Sequence, residues 1–144
     1  MVRINNGKGK VCLDLADSLL GSSYENLSEI EMTSIIYSIS KLQYSRDEEL
    51  LFERKIKREM PNLLFDYETK VEKLLSNKYF NYARVPFILY CLQNSSKYRP
   101  THRKNSLGYL CRSLYSIVIK NYEKYKASEI TTIIYSLKLL NPAF

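Results

Sequence analysis

Lys97, Arg99, Arg103, Lys104, Arg112, Lys120, Lys124 and Lys126 fall in one stretch that holds a single acid, Glu123, so the segment from 97 to 126 carries +7. Such a density of one sign raises the local potential toward polyanions: nucleic acid, anionic lipid headgroups or an acidic protein surface. Tyr98, Tyr109, Tyr115, Tyr122 and Tyr125 are interleaved with these cations. Phosphates attract Lys and Arg in a salt-dependent manner, and exposed aromatic rings stack on unpaired bases for about 1–3 kcal/mol each. The pattern leads us to expect an RNA-facing set of Lys97, Tyr98, Arg99, Arg103, Lys104, Arg112, Lys120, Tyr122, Lys124 and Lys126, with Tyr98 and Tyr122 as the stacking platforms. Tyr37, Tyr90 and Tyr135 lie among aliphatics at helical spacing and are read instead as core-edge rings whose hydroxyls reach water. An ordinary solvated face is the competing account of the cations, and the near absence of acids between 97 and 126 weighs against it.

Other chemistries find no footing. Gly7-Lys-Gly-Lys10 lacks the spacing of a phosphate-binding loop, there is no G-x-S-x-G elbow, and the single histidine, His102, has no recognisable nucleophile partner. His102 is expected on a loop, beside phosphate or solvent. The three cysteines, Cys12, Cys91 and Cys111, are widely separated and odd in number, which suits a reducing compartment and buried small hydrophobes rather than a disulfide scaffold. Zinc lacks a ligand set without a C-x-x-C pair. Glu48 and Glu49 are expected to be solvated on a charge-balanced helix. The expectation is a non-catalytic chain with no cofactor, no metal and no small-molecule substrate.

These residues need a frame. With 144 residues and a hydrophobic fraction of 45%, the chain is expected to bury one core. No apolar run approaches the roughly 18 residues of a membrane span. Residues 1 to 68 hold 9 Lys plus Arg against 12 Asp plus Glu, or −3, whereas 69 to 144 hold 13 against 3, or +10. The cationic surplus therefore belongs to the second half. Residues 1–10 read as a basic tail without the apolar core of a secretory signal, and 11–144 as one helical domain.

Four Gly and four Pro leave little turn-forming material, which favours an all-α chain. A first helix is expected from Lys10 to Leu20, with Gly21 as its stop. Ser28 followed by Glu31 matches a capping box ahead of the stripe Met32, Ile35, Ile36, Ile39 and Leu42. Ser45 is expected to cap the next helix, and Pro61 to end or kink it and begin another carrying Leu64, Tyr67, Val71, Leu74 and Leu75. A connector at 77–81 leads to a helix with Pro86 near its start and the stripe Val85, Ile88, Leu89 and Leu92. After a break at 94–101, Leu107 to about Tyr122 forms a long helix, and Ser128 caps the last one. The total is about seven helices.

Two of these helices share a sequence. Glu31-Met-Thr-Ser-Ile-Ile-Tyr-Ser-Ile-Ser-Lys-Leu42 aligns without gaps on Glu129-Ile-Thr-Thr-Ile-Ile-Tyr-Ser-Leu-Lys-Leu-Leu140, identical at 7 of 12 positions with an offset of 98. A weaker third copy runs from Arg84 to Leu92, where Ile88 and Tyr90 coincide with Ile35 and Tyr37 at an offset of 53. One amphipathic helix cannot bury its stripe alone, so copies of this kind are expected to stack as helical hairpins in a short α-solenoid-like array. The last helix then lacks a following partner, and a neighbouring protein subunit is expected to dock on it.

The phrase from Leu27 to Leu42, with its copy from Ala127 to Leu140, resembles the helical repeats of apicomplexan RAP-domain and heptatricopeptide-repeat organellar proteins. The spacing here is longer than that family's period, and no RAP domain is visible. The resemblance implies RNA binding by stacked helical pairs, fragmented ribosomal RNA included, and a location in the mitochondrion or another organelle such as the plastid. The expected role is a structural RNA-binding subunit of an organellar ribonucleoprotein, most concretely a mitochondrial ribosome. The alternative is a protein-interaction adaptor or accessory subunit of another mitochondrial complex.

Overall fold

The computed structural model describes residues 15–16, 18–20, 24–42, 46–100 and 104–140, with the side chains of 46–52 and 104–106 outside the description. Helix α1, Glu29–Lys41, starts where the sequence places a capping box. Ser28 Oγ accepts from the Glu31 amide at 3.1 Å, and Glu31 Oε1 accepts from the Ser28 amide at 3.1 Å. Two donors that the first helical turn leaves free are thereby satisfied. These bonds to Ser28 hold the Glu31 carboxyl below its ordinary pKa. Of the expected first helix, residues 15–16 and 18–19 are helical and Ala16 and Leu20 are buried; Lys10 to Asp14 and Gly21 lie outside the described residues. Ser45 also lies outside them.

Helix α2, Arg46–Leu75, corrects the expectation at Pro61: the helix continues through it for 30 residues, or about 45 Å. A mid-helix proline removes one backbone bond and costs about 3 kcal/mol. Met60, Leu63, Leu64 and Tyr67, on both sides of Pro61, are almost completely buried. Each large apolar side chain buried contributes about 1.5–3 kcal/mol, so tertiary packing outweighs the proline penalty.

A 3-10 turn at Tyr82–Arg84, capped by Asn81, leads into α3, Val85–Asn94, with Pro86 in its first turn as expected. Helix α4 spans Lys104–Asn121 and α5 spans Ala127–Leu140. Ser128 lies inside α5 and does not cap it. Glu129 Oε1 instead accepts from the Lys126 amide at 2.8 Å, and the Ile130 amide donates to the Lys126 carbonyl at 3.0 Å. Among the described residues the fold is all-helical, with five α-helices, short 3-10 turns and no strand.

The sequence copies are neighbours in space. Helix α3, which carries the weak copy, packs against both α1 and α5, which carry the strong ones, while α2 and α4 pack against each other. Met32 and Ile36 of α1, Leu63 and Tyr67 of α2, Ile88 and Leu92 of α3, and Leu110 and Leu114 of α4 join one core.

A buried polar knot sits where α1, α2 and α3 meet. Arg84 Nε donates to Glu29 Oε1 at 3.0 Å and Arg84 Nη2 donates to Glu29 Oε2 at 2.8 Å. Thr33 Oγ1 donates to Glu29 Oε2 at 2.7 Å. The Tyr67 hydroxyl lies 2.8 Å from Thr33 Oγ1; with the threonine proton already committed to Glu29, Tyr67 is the donor. Cys91 Sγ donates to the Thr33 carbonyl at 3.6 Å.

Candidate nucleic-acid interface

The ten residues expected to face RNA divide into three groups. The first is exposed: Lys97, Arg112, Lys120, Tyr122, Lys124 and Lys126. Lys97 Nζ lies 5.1 Å from the ring centroid of Tyr98, and Lys124 Nζ 5.1 Å from that of Tyr82. The Tyr122 hydroxyl donates to Glu123 Oε1 at 3.0 Å, an engagement between neighbours that leaves its ring open to solvent.

The second group is drawn inward, and here the structure corrects the expectation. The Arg99 side chain is only 4% exposed, and its Nη1 donates to Glu68 Oε1 of α2. A guanidinium buried against its own carboxylate presents no charge to a phosphate. Its Nε and Nη2 have no hydrogen-bond partner among the described residues. Tyr98 is half-buried and packs against the core, and burial raises its pKa.

The third group cannot be placed: Arg103, with His102, lies outside the described residues, and Lys104 begins α4 with its side chain outside the description.

The distribution of charge on α4 also differs from a stripe. Lys104, Arg112 and Lys120 recur every eight residues. At 3.6 residues per turn each step overshoots two turns by about 80°, so the positions of Lys104 and Lys120 are about 160° apart around the axis. The charge winds around the helix, and its next members, Lys124 and Lys126, fall in the turn before α5.

What α4 does gather on one side is a mixed set. Tyr109, Ser113, Ser116 and Lys120 line a groove of about 700 Å³ together with Glu72 and Ser76 of α2. Arg112 is exposed one turn from Tyr109 and Ser116. Tyr109 is 71% exposed and is the aromatic that the reading of the sequence passed over in favour of Tyr98 and Tyr122. Its signal was available, because Tyr109 is spaced three and four residues from Arg112 and Ser113. Tyr125, interleaved with the same cations, is buried, and its hydroxyl donates to the Tyr82 carbonyl at 2.7 Å.

No family model, curated protein or solved structure matches the chain. The chemistry of the site therefore stands on its own residues.

The copied tyrosines behave unequally. Tyr37 and Tyr90 pack ring to ring at 5.6 Å, with Lys41 Nζ 5.7 Å and 6.0 Å from their centroids. Tyr135 is 57% exposed, more open than a core-edge ring. Cys91 and Cys111 are free and buried, and burial pushes their thiols up to about 12 and about 11, far from the thiolate form that reacts. Among the described residues no group of three or more His, Cys, Asp or Glu could hold a metal ion, and no helix is long and apolar enough to cross a membrane.

Proposed function

We propose that this chain is a non-catalytic RNA-binding structural subunit of an organellar ribonucleoprotein, most concretely a mitochondrial ribosome. Its frame is a short array of helical hairpins, with α1 and α2 as one unit, α3 and α4 as the next, and α5 opening a third. The observation that carries the RNA reading is the outer side of α4. There an open aromatic ring, Tyr109, two cations, Arg112 and Lys120, and two hydroxyls, Ser113 and Ser116, lie within one groove and its rim. A cation holds a phosphate and a tyrosine face accepts an unpaired base; Ser113 and Ser116 donate their protons to the Tyr109 and Arg112 carbonyls, so their oxygens are free to accept from a ribose 2′-hydroxyl. Lys124 and Lys126 extend the cationic path toward α5.

The test is fluorescence anisotropy with labelled single-stranded RNA across a salt series. Arg112→Gln with Lys120→Gln is expected to weaken binding at least tenfold at low salt. Losing two phosphate contacts should flatten the slope of log affinity against log salt by about 1.4. Binding and slope unchanged from the native chain would refute the proposal.

A protein-interaction adaptor is the second reading. Apolar and aromatic residues exposed on α5, namely Ile134, Tyr135 and Leu139, favour it. The two readings are compatible in one subunit.

A further inference from the structure

Helices α1 and α5 carry the same sequence, but one of them is covered where the other is open. Ile36 of α1 is 0% exposed, whereas Ile134, its counterpart 98 residues on, is 61% exposed. Thr33 is buried and Thr131 exposed; Tyr37 is half-buried and Tyr135 exposed. What covers this face on α1 is α3 together with α2: Cys91 of α3 reaches the Thr33 carbonyl, Tyr90 of α3 packs beside Tyr37, and Tyr67 of α2 meets the Thr33 hydroxyl. Thr131, Ile134, Tyr135 and Lys138 follow one another at i, i+3, i+4 and i+7, so they share one face of α5.

We infer that this face of α5 seats an amphipathic helix of another polypeptide, patterned like α3 and flanked by acidic residues. The internal copy supplies the geometry: the incoming helix lies beside Thr131 and Tyr135 as α3 lies beside Thr33 and Tyr37, with an aromatic ring next to Tyr135. Charge supplies the flanks. Exposed Lys138 lies on the face at its C-terminal end, and exposed Lys126 stands in the turn just before α5, so carboxylates at both ends of the incoming helix are complementary. The same charges disfavour a second copy of this chain. A two-fold pairing of α5 helices sets Lys138 of one copy against the Lys126 end of the other when the helices run antiparallel, and against Lys138 when they run parallel. The inference does not depend on RNA binding, because it uses a different helix and different residues.

The probe is a fluorescein-labelled, hydrocarbon-stapled peptide with the sequence of Val85–Asn94, extended by glutamates at each end, titrated into the intact chain. Saturable one-to-one binding is expected. Ile134→Glu should weaken it at least tenfold with the thermal midpoint and RNA affinity unchanged, since Ile134 is solvent-facing. Lys138→Glu should weaken the glutamate-flanked peptide and leave a glutamine-flanked control unaffected. Absence of saturable binding, binding indifferent to Ile134→Glu, or light scattering that shows a dimer abolished by Ile134→Glu would each overturn the inference. RNA affinity measured on the same variants separates that failure from a failure of the RNA reading.

Discussion

Arg84 meets Glu29 with two parallel donors, at 3.0 and 2.8 Å, across 55 residues of sequence and the seam between α1 and the turn that enters α3. Glu29 is almost fully buried and Arg84 largely so. The hydrogen bonds to Glu29 raise the pKa of the guanidinium, so Arg84 stays charged. Removing one partner strands the other charge away from water. Arg84→Met is expected to destabilise the chain by about 3–5 kcal/mol. Adding Glu29→Gln should restore part of that loss. Urea midpoints for the two single variants and the double variant measure the coupling; additive losses would show that the pair is not coupled.

Pro61 gives the opposite sign. Its ring sits inside α2 at the cost of one backbone bond, and the buried residues around it carry the helix across. Pro61→Ala restores the amide donor, and an increase in stability of about 1–3 kcal/mol is expected. A fall in the urea midpoint would mean that the ring's own packing outweighs the missing bond.

Alkaline pH should loosen the core. Burial pushes the Cys111 thiol up to about 11 and the Cys91 thiol and Tyr125 phenol up to about 12, in each case because the charged form is the deprotonated one. The unfolded chain releases these protons first, so above the ordinary thiol range it binds fewer protons than the native state, and stability falls as pH rises. The contribution is whole below about pH 8.5 and is lost as pH climbs through 11 to 12. Denaturant midpoints measured from pH 8 to 11 should decline, and less steeply in Cys111→Ala. A flat profile would contradict this.

Arg99 and Arg112 are both arginines of the cationic segment, but they are expected to fail differently. Arg99→Gln strips Glu68 of its charged partner, so it should lower the thermal midpoint while the folded protein keeps its RNA affinity. Arg112→Gln should leave stability within about 0.5 kcal/mol of native and weaken RNA binding. Thermal melts paired with anisotropy distinguish the two. Equal effects of both substitutions on RNA affinity would remove the distinction drawn between them.

Features whose causes lie close together in the chain were legible in the sequence. The Ser28 and Glu31 capping box needs residues three apart, and Pro86 in a first turn needs only its own ring. Helix α4 followed from its apolar spacing. The copied segments were visible as text, and their adjacency across α3 was not. Pro61 misled because a local penalty was overridden by packing from other helices. Arg99 misled because its partner Glu68 is 31 residues away on α2, a pairing that composition does not encode. The winding of charge on α4 was within reach of sequence arithmetic, since an eight-residue interval does not return to one face. Tyr98 and Tyr109 look alike in a list of aromatics, and only the packing of the turn before α4 separates the half-buried ring from the open one.

The knot of Tyr67, Thr33, Glu29 and Arg84 bears on how the helices find their alignment. Tyr67 donates to Thr33, and Thr33 and Arg84 donate to Glu29, so the donors run in one order and end on a single carboxylate. Sliding the Arg84 end of α3 along α1 by one turn, about 5.4 Å, would leave that carboxylate without its guanidinium, holding only the Thr33 hydroxyl of its own helix. Near-miss dockings that an oily seam alone would tolerate are thus rejected, and the chain is keyed to a single registration of its first three helices.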